Sequence, residues 1–426
     1  MSHCRQKKAA QLASGAMALL GILGMSTPSA LADEPASLDV TGEISVVVGS
    51  VDGELKSDAN AALQATTSTV FANGLELGAA ASLRADADMG VRRPAAGRYS
   101  SLLSGGSRGF GPEGADVFLE GAYLFARGGF GSLHVGRDQG VASRLSVTSP
   151  TIFRAVGVND WRTDLTGLND VHTINDFSGQ STKVSYMPPA GFLGGVIGQL
   201  QLGVSYAPEL SACGEDACVP FSGLALDNEG LLVSADQAWE DVLETALYYQ
   251  NTVDIGNNPL DFGLSASYVS AEDNGATLSN IGSMIDPLFG DYQAYAFGLN
   301  LSYGNLTFGG SLKSTNAGLN EDRDEDYLAF DAGVTYEAGE WNFMLGYGAA
   351  DAERDAALLV GPDDLSAFSP LGLNRQTQTA QAGVSYVFNH GVTLGAAAQI
   401  VDSEKSDALG GAENAAAIVF ESSIKF

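Results

Sequence analysis

Hydrophobic residues recur at every second position along most of this chain, which is the period of a β-strand. The segment from Ala416 to Phe426 shows the pattern clearly. One parity reads Ala, Ile, Phe, Ser, Ile, Phe, and the other reads Ala, Val, Glu, Ser, Lys. A strand with one apolar and one mainly polar face fits a closed barrel in a membrane, with the apolar side outward and the polar side inward.

The same alternation predicts sixteen strands. In chain order we expect them at about residues 38–50, 59–71, 74–86, 115–127, 129–137, 181–188, 196–207, 241–251, 260–270, 292–303, 305–314, 326–337, 340–351, 375–388, 391–402 and 413–426. The second is the weakest, because only Leu63 and Phe71 mark its apolar face. An even count lets a closed antiparallel barrel have both chain ends on one side. The predicted fold is therefore an all-β, 16-stranded antiparallel transmembrane barrel.

The connections between these strands alternate in length. One set is short, around residues 72–73, 128, 189–195, 252–259, 304, 338–339 and 389–390. The other set is mostly longer: 51–58, 87–114, 138–180, 208–240, 271–291, 315–325, 352–374 and 403–412. Short periplasmic turns and long outer loops are typical of outer-membrane barrels.

Aromatic residues cluster beside the short connections, where amphipathic rings favour a membrane–water boundary. We expect the following to form a periplasmic girdle: Phe71, Phe125, Phe130, Tyr186, Phe192, Tyr249, Phe262, Tyr303, Phe308, Tyr336, Trp341, Tyr386, Phe388 and Phe426. The alternative is that they are core aromatics of a soluble β-protein.

The first 32 residues have the features of a secretory signal peptide. Arg5, Lys7 and Lys8 precede a short apolar stretch, and Ala30-Leu31-Ala32 is a small-x-small cleavage site. We therefore divide the chain into a signal peptide, 1–32, and a barrel, 33–426.

Composition narrows the class of protein further. The mean hydropathy of +0.05 fits both a soluble secreted protein and a barrel that hides apolar residues at alternate positions. The net charge is −30, from 51 acidic and 21 basic residues. Nucleic-acid binding needs a basic surface, so we expect no nucleic-acid partner. Halophilic adaptation is an alternative source of the charge.

Two cysteines follow the leader, at Cys213 and Cys218. In an oxidising periplasm they predict a disulfide that closes a small loop, and the alternative is two free thiols. A run of acids at 320–326 includes Asp322, Asp324 and Asp326. These carboxylates could hold calcium, but an acidic solvated loop is the favoured interpretation, and we expect no other cofactor.

The segment Gly128-Gly129-Phe130-Gly131-Ser132-Leu133-His134-Val135-Gly136-Arg137, with Ala122–Phe125 before it and Asp138-Gln139-Gly140 after it, resembles general Gram-negative porins of the alphaproteobacterial type. The carboxyl-terminal strand ending in Phe426 resembles theirs too. The resemblance implies a homotrimer of sixteen-stranded barrels in the outer membrane, among lipid and lipopolysaccharide. It also implies that Phe426 helps the barrel-assembly machinery recognise the chain.

The resemblance further implies that the loop 138–180 folds inward and narrows the channel. Its second half carries carboxylates that would then lie at the constriction: Asp160, Asp164, Asp170 and Asp176. Basic residues on the polar faces of the strands would form the opposite wall: Arg84, Arg137, Lys183, Lys313 and Arg375. Opposed charges across a narrow wet gap select solutes by charge and polarity. The alternative is that each is a solvated residue of the lumen or rim.

The predicted function is passive diffusion of small hydrophilic solutes and ions, with a preference for cations. One alternative is a substrate-specific channel of the same fold, and another is a non-conducting surface barrel for adhesion or envelope attachment. We expect no enzyme, because His134, His172 and His390 lie in no recognisable Ser/His setting.

Overall fold

The computed structural model describes most of the chain. The described residues are 36–88, 114–159, 163–191, 198–210, 223–226, 232–235, 239–256, 258–273, 291–316, 327–352, 355–359, 368–372, 375–388, 391–405 and 411–426. The predicted signal peptide lies outside these ranges, as does nearly all of the predicted loop 87–114.

Twenty strands and one short helix are described. They are β1 (Ser37–Val51), β2 (Glu54–Val70), β3 (Glu76–Asp88), β4 (Gly114–Gly128), β5 (Gly131–Arg137), α1 (Val141–Arg144), β6 (Thr182–Met187), β7 (Gln199–Leu210), β8 (Gly223–Leu226), β9 (Leu232–Ala235), β10 (Trp239–Ile255), β11 (Asn258–Asp273), β12 (Tyr292–Tyr303), β13 (Leu306–Thr315), β14 (Tyr327–Ala338), β15 (Trp341–Ala352), β16 (Asp355–Leu359), β17 (Phe368–Gly372), β18 (Arg375–Val387), β19 (Val392–Lys405) and β20 (Glu413–Lys425).

Sixteen of these strands form one closed antiparallel barrel, in chain order and without crossovers. The strands β8 and β9 form a separate hairpin within the predicted loop 208–240, and β16 and β17 form another within 352–374. All sixteen predicted strands are present, including the weak second one, so the predicted fold class is confirmed.

One predicted long connection is wrong. The chain turns between β1 and β2 at Asp52 and Gly53 alone, rather than over residues 51–58. Their φ angles are +50° and +90°, as a two-residue hairpin turn with both central residues left-handed requires. Asp-Gly is a sequence that favours this turn, so β2 begins five residues earlier than its hydrophobic pattern predicts.

The barrel closes where β1 pairs with β20. At this seam Gly42 and Phe426 exchange both backbone hydrogen bonds, with N···O distances of 2.8 and 3.0 Å. The Phe426 ring lies over Gly42, because a Cβ at that position would be 2.4 Å from the ring. Glycine at position 42 therefore makes room for the last aromatic ring.

Apolar side chains face away from the barrel interior on alternate residues. In β20, Ile418 and Phe420 are 58% and 59% exposed, whereas Val419 between them is 1% exposed. The register across the seam pairs Ile44 with Ile424 and Val48 with Phe420, so the apolar face continues around the ring. The alternation of apolar and polar residues predicted from the sequence is therefore the alternation of outward and inward side chains in the barrel wall.

Many aromatics at the short-turn end point outward and are exposed. They include Phe130, Tyr186, Tyr303, Phe308, Tyr336, Trp341, Phe388 and Phe426. Phe125 does not belong to this girdle. The register of β4 places it on the inward face with Tyr123, where it is buried against His134. Among the described residues, no helix has the length and apolar character needed to cross a membrane.

Candidate functional site

The connection between β5 and β6 spans residues 138–180, and we call it the inner loop; its described parts, 138–159 and 163–180, lie inside the barrel. The amide of Val147 donates to Ser265 Oγ on β11 (3.0 Å), and Thr163 Oγ1 donates to the Asp58 carboxylate on β2 (3.0 Å). The strands β2 and β11 lie nearly opposite each other around the ring of sixteen. A segment that bonds both walls must cross the interior.

Buried carboxylates on the wall accept hydrogen bonds from the inner loop. Glu244 on β10 accepts from the Ala142 amide (3.3 Å), and Asp331 on β14 accepts from the Ser149 amide (3.2 Å). On β20, Glu421 accepts from two successive amides, those of Arg154 (2.7 Å) and Ala155 (2.9 Å). Because a buried carboxylate needs hydrogen-bond donors, these bonds fix the loop and supply donors to the carboxylates of the wall.

Lysines on the wall donate hydrogen bonds to backbone carbonyls of the inner loop that point toward the wall. Lys56 Nζ donates to Leu165 O (3.1 Å), Lys183 Nζ to Gly179 O (2.6 Å), and Lys313 Nζ to Ile174 O (2.8 Å). Lys183 and Lys313 are two of the predicted basic wall residues, and both are almost fully buried. In this structure they hold the loop backbone rather than face open solvent.

Glycines on the wall provide the surface on which the loop lies. A Cβ at Gly298 would be 2.0 Å from Val147 O. The ring of Phe153 fits between Gly383 and Gly395, where added Cβ atoms would each lie 2.4 Å from the ring. The loop backbone and this ring therefore approach closer to the wall than any side chain would allow.

Two apolar clusters complete the docking. In the first, Phe153, Val156 and Leu165 of the loop pack with Val47 of β1 and Val419 of β20. In the second, Phe177 of the loop stacks on Tyr292 of β12, with ring centroids 3.6 Å apart. The inward parity of the strands is therefore apolar at the places where the loop is seated.

The predicted loop carboxylates occupy different environments. Asp164 is buried and accepts from Thr166 Oγ1 (2.6 Å) and the Asn169 amide (2.9 Å), so it stabilises a turn within the loop. Asp170 is also buried. Asp176 is partly exposed and accepts from His172 Nε2 (2.7 Å). Asp160 lies outside the described residues.

His172 and Asp176 line a cavity of about 260 Å³ that is formed mostly by the inner loop itself. Arg154 and Asn159 lie on the same cavity, and Met344 of β15 closes it toward the wall. Among the predicted acidic residues that the structure describes, Asp176 is the one that lines this cavity. Its charge interacts with that of the buried Lys313 on the wall.

Arg84 and Arg137 meet at one residue of β4. Arg84 forms an ion pair with the Glu120 carboxylate (3.2 Å), and Arg137 Nε donates to the Glu120 carbonyl (3.1 Å). The register of β3 against β4 shifts at this point, so Glu120 belongs to a local bulge. Arg375 begins β18, and its side chain lies outside what the structure describes.

A hydrogen-bonded line of side chains lies at the start of the inner loop. Ser132 Oγ is 2.9 Å from His134 Nε2, and His134 Nδ1 is 2.8 Å from Asp138 Oδ2. The prediction that no histidine has a Ser/His setting is therefore wrong. Ser132 and His134 share a face of the predicted strand 129–137, so strand parity would have indicated their contact, whereas Asp138 lies beyond the end of that strand.

Arg144 binds the Asp138 carboxylate at the end of this line. Its guanidinium donates to both oxygens of Asp138, each at 2.7 Å. Burial disfavours the charged carboxylate, but hydrogen bonds from His134 and Arg144 and the charge of Arg144 outweigh it and hold the pKa of Asp138 below its ordinary value. Since Arg144 also lies 3.0 Å from His134 Nδ1, the group fastens helix α1 to the end of β5.

Polar residues on the inward face stay exposed near the short-turn end. Three are acidic, namely Asp254 on β10, Asp261 on β11 and Glu337 on β14. On the far side of the barrel, Gln64 of β2 also faces inward and is exposed. These residues are not among the predicted site residues, although counting strand parity from the apolar face would find them.

The other predicted sites lie outside the described residues. These are the Cys213–Cys218 disulfide and the acidic run with Asp322, Asp324 and Asp326. Within the part of the chain that the structure describes, no three His, Cys, Asp or Glu side chains are grouped as a metal site requires.

Comparisons with known proteins agree with this fold. A family model described as Gram-negative porin matches residues 15–406. The fold is similar to the outer membrane channel DcaP of Acinetobacter baumannii, with a TM-score of 0.54 and 13% identity over 93% of this chain and 99% of that one. It is also similar to Salmonella typhi OmpF in complex with daunomycin, with a TM-score of 0.53 and 14% identity over 91% and 97%. A third similar structure is the trimer form of Vibrio cholerae OmpT, with a TM-score of 0.50 and 13% identity over 92% and 100%. No curated protein sequence matches the chain.

Proposed function

Because the chain belongs to the Gram-negative porin family, whose members are outer-membrane channels, we propose that it conducts small hydrophilic solutes and ions by passive diffusion and prefers cations. The observation that carries the proposal is the inner loop, fixed across the interior by buried charges while other inward-facing polar residues remain exposed to water. Residues 138–180 would then narrow the channel without sealing it.

The distribution of free and paired charge supports a preference for cations. Lys183 and Lys313 are buried against loop carbonyls. Three arginines that face the interior are paired with acids: Arg84 with Glu120, Arg127 with Glu76, and Arg154 with Glu43. The exposed acids Asp254, Asp261 and Glu337 face the interior, and in salt solution each charge acts over about 8–10 Å.

We expect single-channel recordings in a planar bilayer with a potassium chloride gradient to show stable conductance and a cation-selective reversal potential. A triple variant in which all three exposed acids are neutralised, Asp254→Asn, Asp261→Asn and Glu337→Gln, should have a reversal potential closer to zero, because its selectivity for cations is weaker. Asp402→Asn is the matched control, because Asp402 is exposed on the outward parity of β19.

An absence of conductance in wild-type protein would overturn the diffusion channel and favour a non-conducting surface barrel for adhesion or envelope attachment. Unchanged selectivity in the triple variant would overturn the assignment of the cation preference to these acids.

The same proposal includes the assembly of the protein. We infer a homotrimer in the outer membrane, surrounded by lipid and lipopolysaccharide, with Phe426 presented to the barrel-assembly machinery at the seam. Conductance that closes in three equal steps would support the trimer, and a single step per insertion would contradict it.

A further inference from the structure

A second cavity lies against the wall near the short-turn end of the barrel. Its volume is about 490 Å³, within the ~300–1,000 Å³ range of small-molecule pockets. The inward faces of β7, β10, β11 and β12 form its walls, and the inner loop borders it at Val147. Its position beside the permeation path makes it accessible to a passing solute. We call it the vestibule pocket.

The polar lining of the vestibule pocket is mostly neutral. Gln199, Gln250, Thr252 and Ser302 each offer both hydrogen-bond donors and acceptors. Gln199 and Gln250 are within hydrogen-bond distance of each other, at 3.4 Å, across neighbouring strands. Groups that both donate and accept match the hydroxyls of a polyhydroxylated solute, since each hydroxyl also does both.

An aromatic ring lies among these amides. Tyr248 faces inward on β10, and its ring covers Gly263 of β11, where an added Cβ would be 3.3 Å from the phenol oxygen. The hydroxyl donates to Gln250 Oε1 at 3.1 Å, which fixes the ring against the wall. A ring held this way offers apolar area to the C–H face of a sugar while the neighbouring amides bind its hydroxyls.

One acid, Asp261, lines the pocket. Its carboxylate accepts from Thr252 Oγ1 at 2.5 Å, so part of its acceptor capacity is already used. The carboxylate repels anionic solutes and leaves neutral ones unaffected. The lining therefore favours a neutral solute over an anion, and a hydroxyl-rich solute over an apolar one.

We propose that the vestibule pocket is a binding subsite for small neutral saccharides on their way through the channel. The inference rests on the proposed diffusion function and specifies the solute class that the channel binds. It makes permeation of these solutes saturable, because a bound sugar occupies the path beside the inner loop.

The test uses purified full-length protein and sucrose. In planar bilayers, sucrose should reduce the ion current in a saturable manner, whereas polyethylene glycol of similar size should reduce it only in proportion to concentration. Tyr248→Ala should raise the half-blocking sucrose concentration by about tenfold, and Gln250→Ala by a smaller factor. Gln64→Ala, an exposed inward amide across the barrel, should leave it unchanged.

A second measurement separates this inference from the proposed function. Saturation-transfer NMR of sucrose with the protein in detergent micelles requires no conductance. A sucrose signal that Tyr248→Ala removes supports the pocket even if the protein fails to conduct, in which case only the diffusion function is overturned. Absence of a saturable signal in wild-type protein overturns the saccharide subsite. The saccharide subsite is also overturned if arginine blocks the current, sucrose does not, and the Asp261→Asn substitution abolishes the arginine block.

Discussion

Replacing Glu421 with alanine is expected to release residues 153–156 of the inner loop, which we call its tip, and give a larger, noisier single-channel conductance. Glu421 is buried on β20 and accepts from the amides of Arg154 and Ala155 at 2.7 and 2.9 Å. Its loss leaves one buried donor, the Ala155 amide, and one part-buried donor, the Arg154 amide, without that acceptor, at a cost of about 2 kcal/mol. Local opening of the tip should increase by roughly 30-fold. Hydrogen–deuterium exchange of peptides from 150–160 measures this opening directly.

The control for this variant is Glu43→Ala, which removes a partner from the same loop tip. The Arg154–Glu43 ion pair, at 3.1 Å, joins two side chains that are each more than one-third exposed, so its contribution is small. Glu421→Gln should give an intermediate result, because one amide oxygen replaces two carboxylate oxygens. Wild-type exchange and conductance in Glu421→Ala would show that the apolar contacts of Phe153 hold the tip alone.

Gly298→Ala is expected to displace the first part of the inner loop from the wall. The added Cβ would lie 2.0 Å from Val147 O and 2.8 Å from Ser265 Oγ, so the backbone of the loop must move. The displacement would stretch the bonds from Val147 N to Ser265 Oγ and from Ser149 N to Asp331. Overpacking of this kind costs about 1–3 kcal/mol. We expect faster exchange of the peptide around 145–150 and altered conductance, with the barrel still heat-resistant in gel electrophoresis.

Gly129→Ala is the matched control for Gly298→Ala. Gly129 lies in the turn between β4 and β5, and an added Cβ there has no atom within 4 Å. It should behave as wild type in both measurements. If Gly298→Ala also behaves as wild type, the close approach of Val147 to the wall is not required for the loop position.

The wall of the barrel could be predicted from local pattern because lipid imposes a simple condition on it. Every second residue must be apolar wherever a strand faces the membrane, and the run from Ala416 to Phe426 shows this condition without reference to any other segment. Parity also placed Lys183 and Lys313 on the inward face before any contact was known. Phe125 shows the limit of this reasoning, since its aromatic ring suggested the girdle but its register turns it inward against His134.

The contacts that hold the inner loop against the wall were decided only by the tertiary structure. Nothing near residue 154 in the sequence indicates that Glu421 binds there, because the two are 267 residues apart and meet only when β20 closes the barrel. The lysines were expected to face open water, but carbonyls of the loop lie next to them once it crosses the interior. Alternation is a property of neighbouring residues and can be read along the chain. The partner of each buried charge depends on how the closed wall surrounds the loop, which no local pattern encodes.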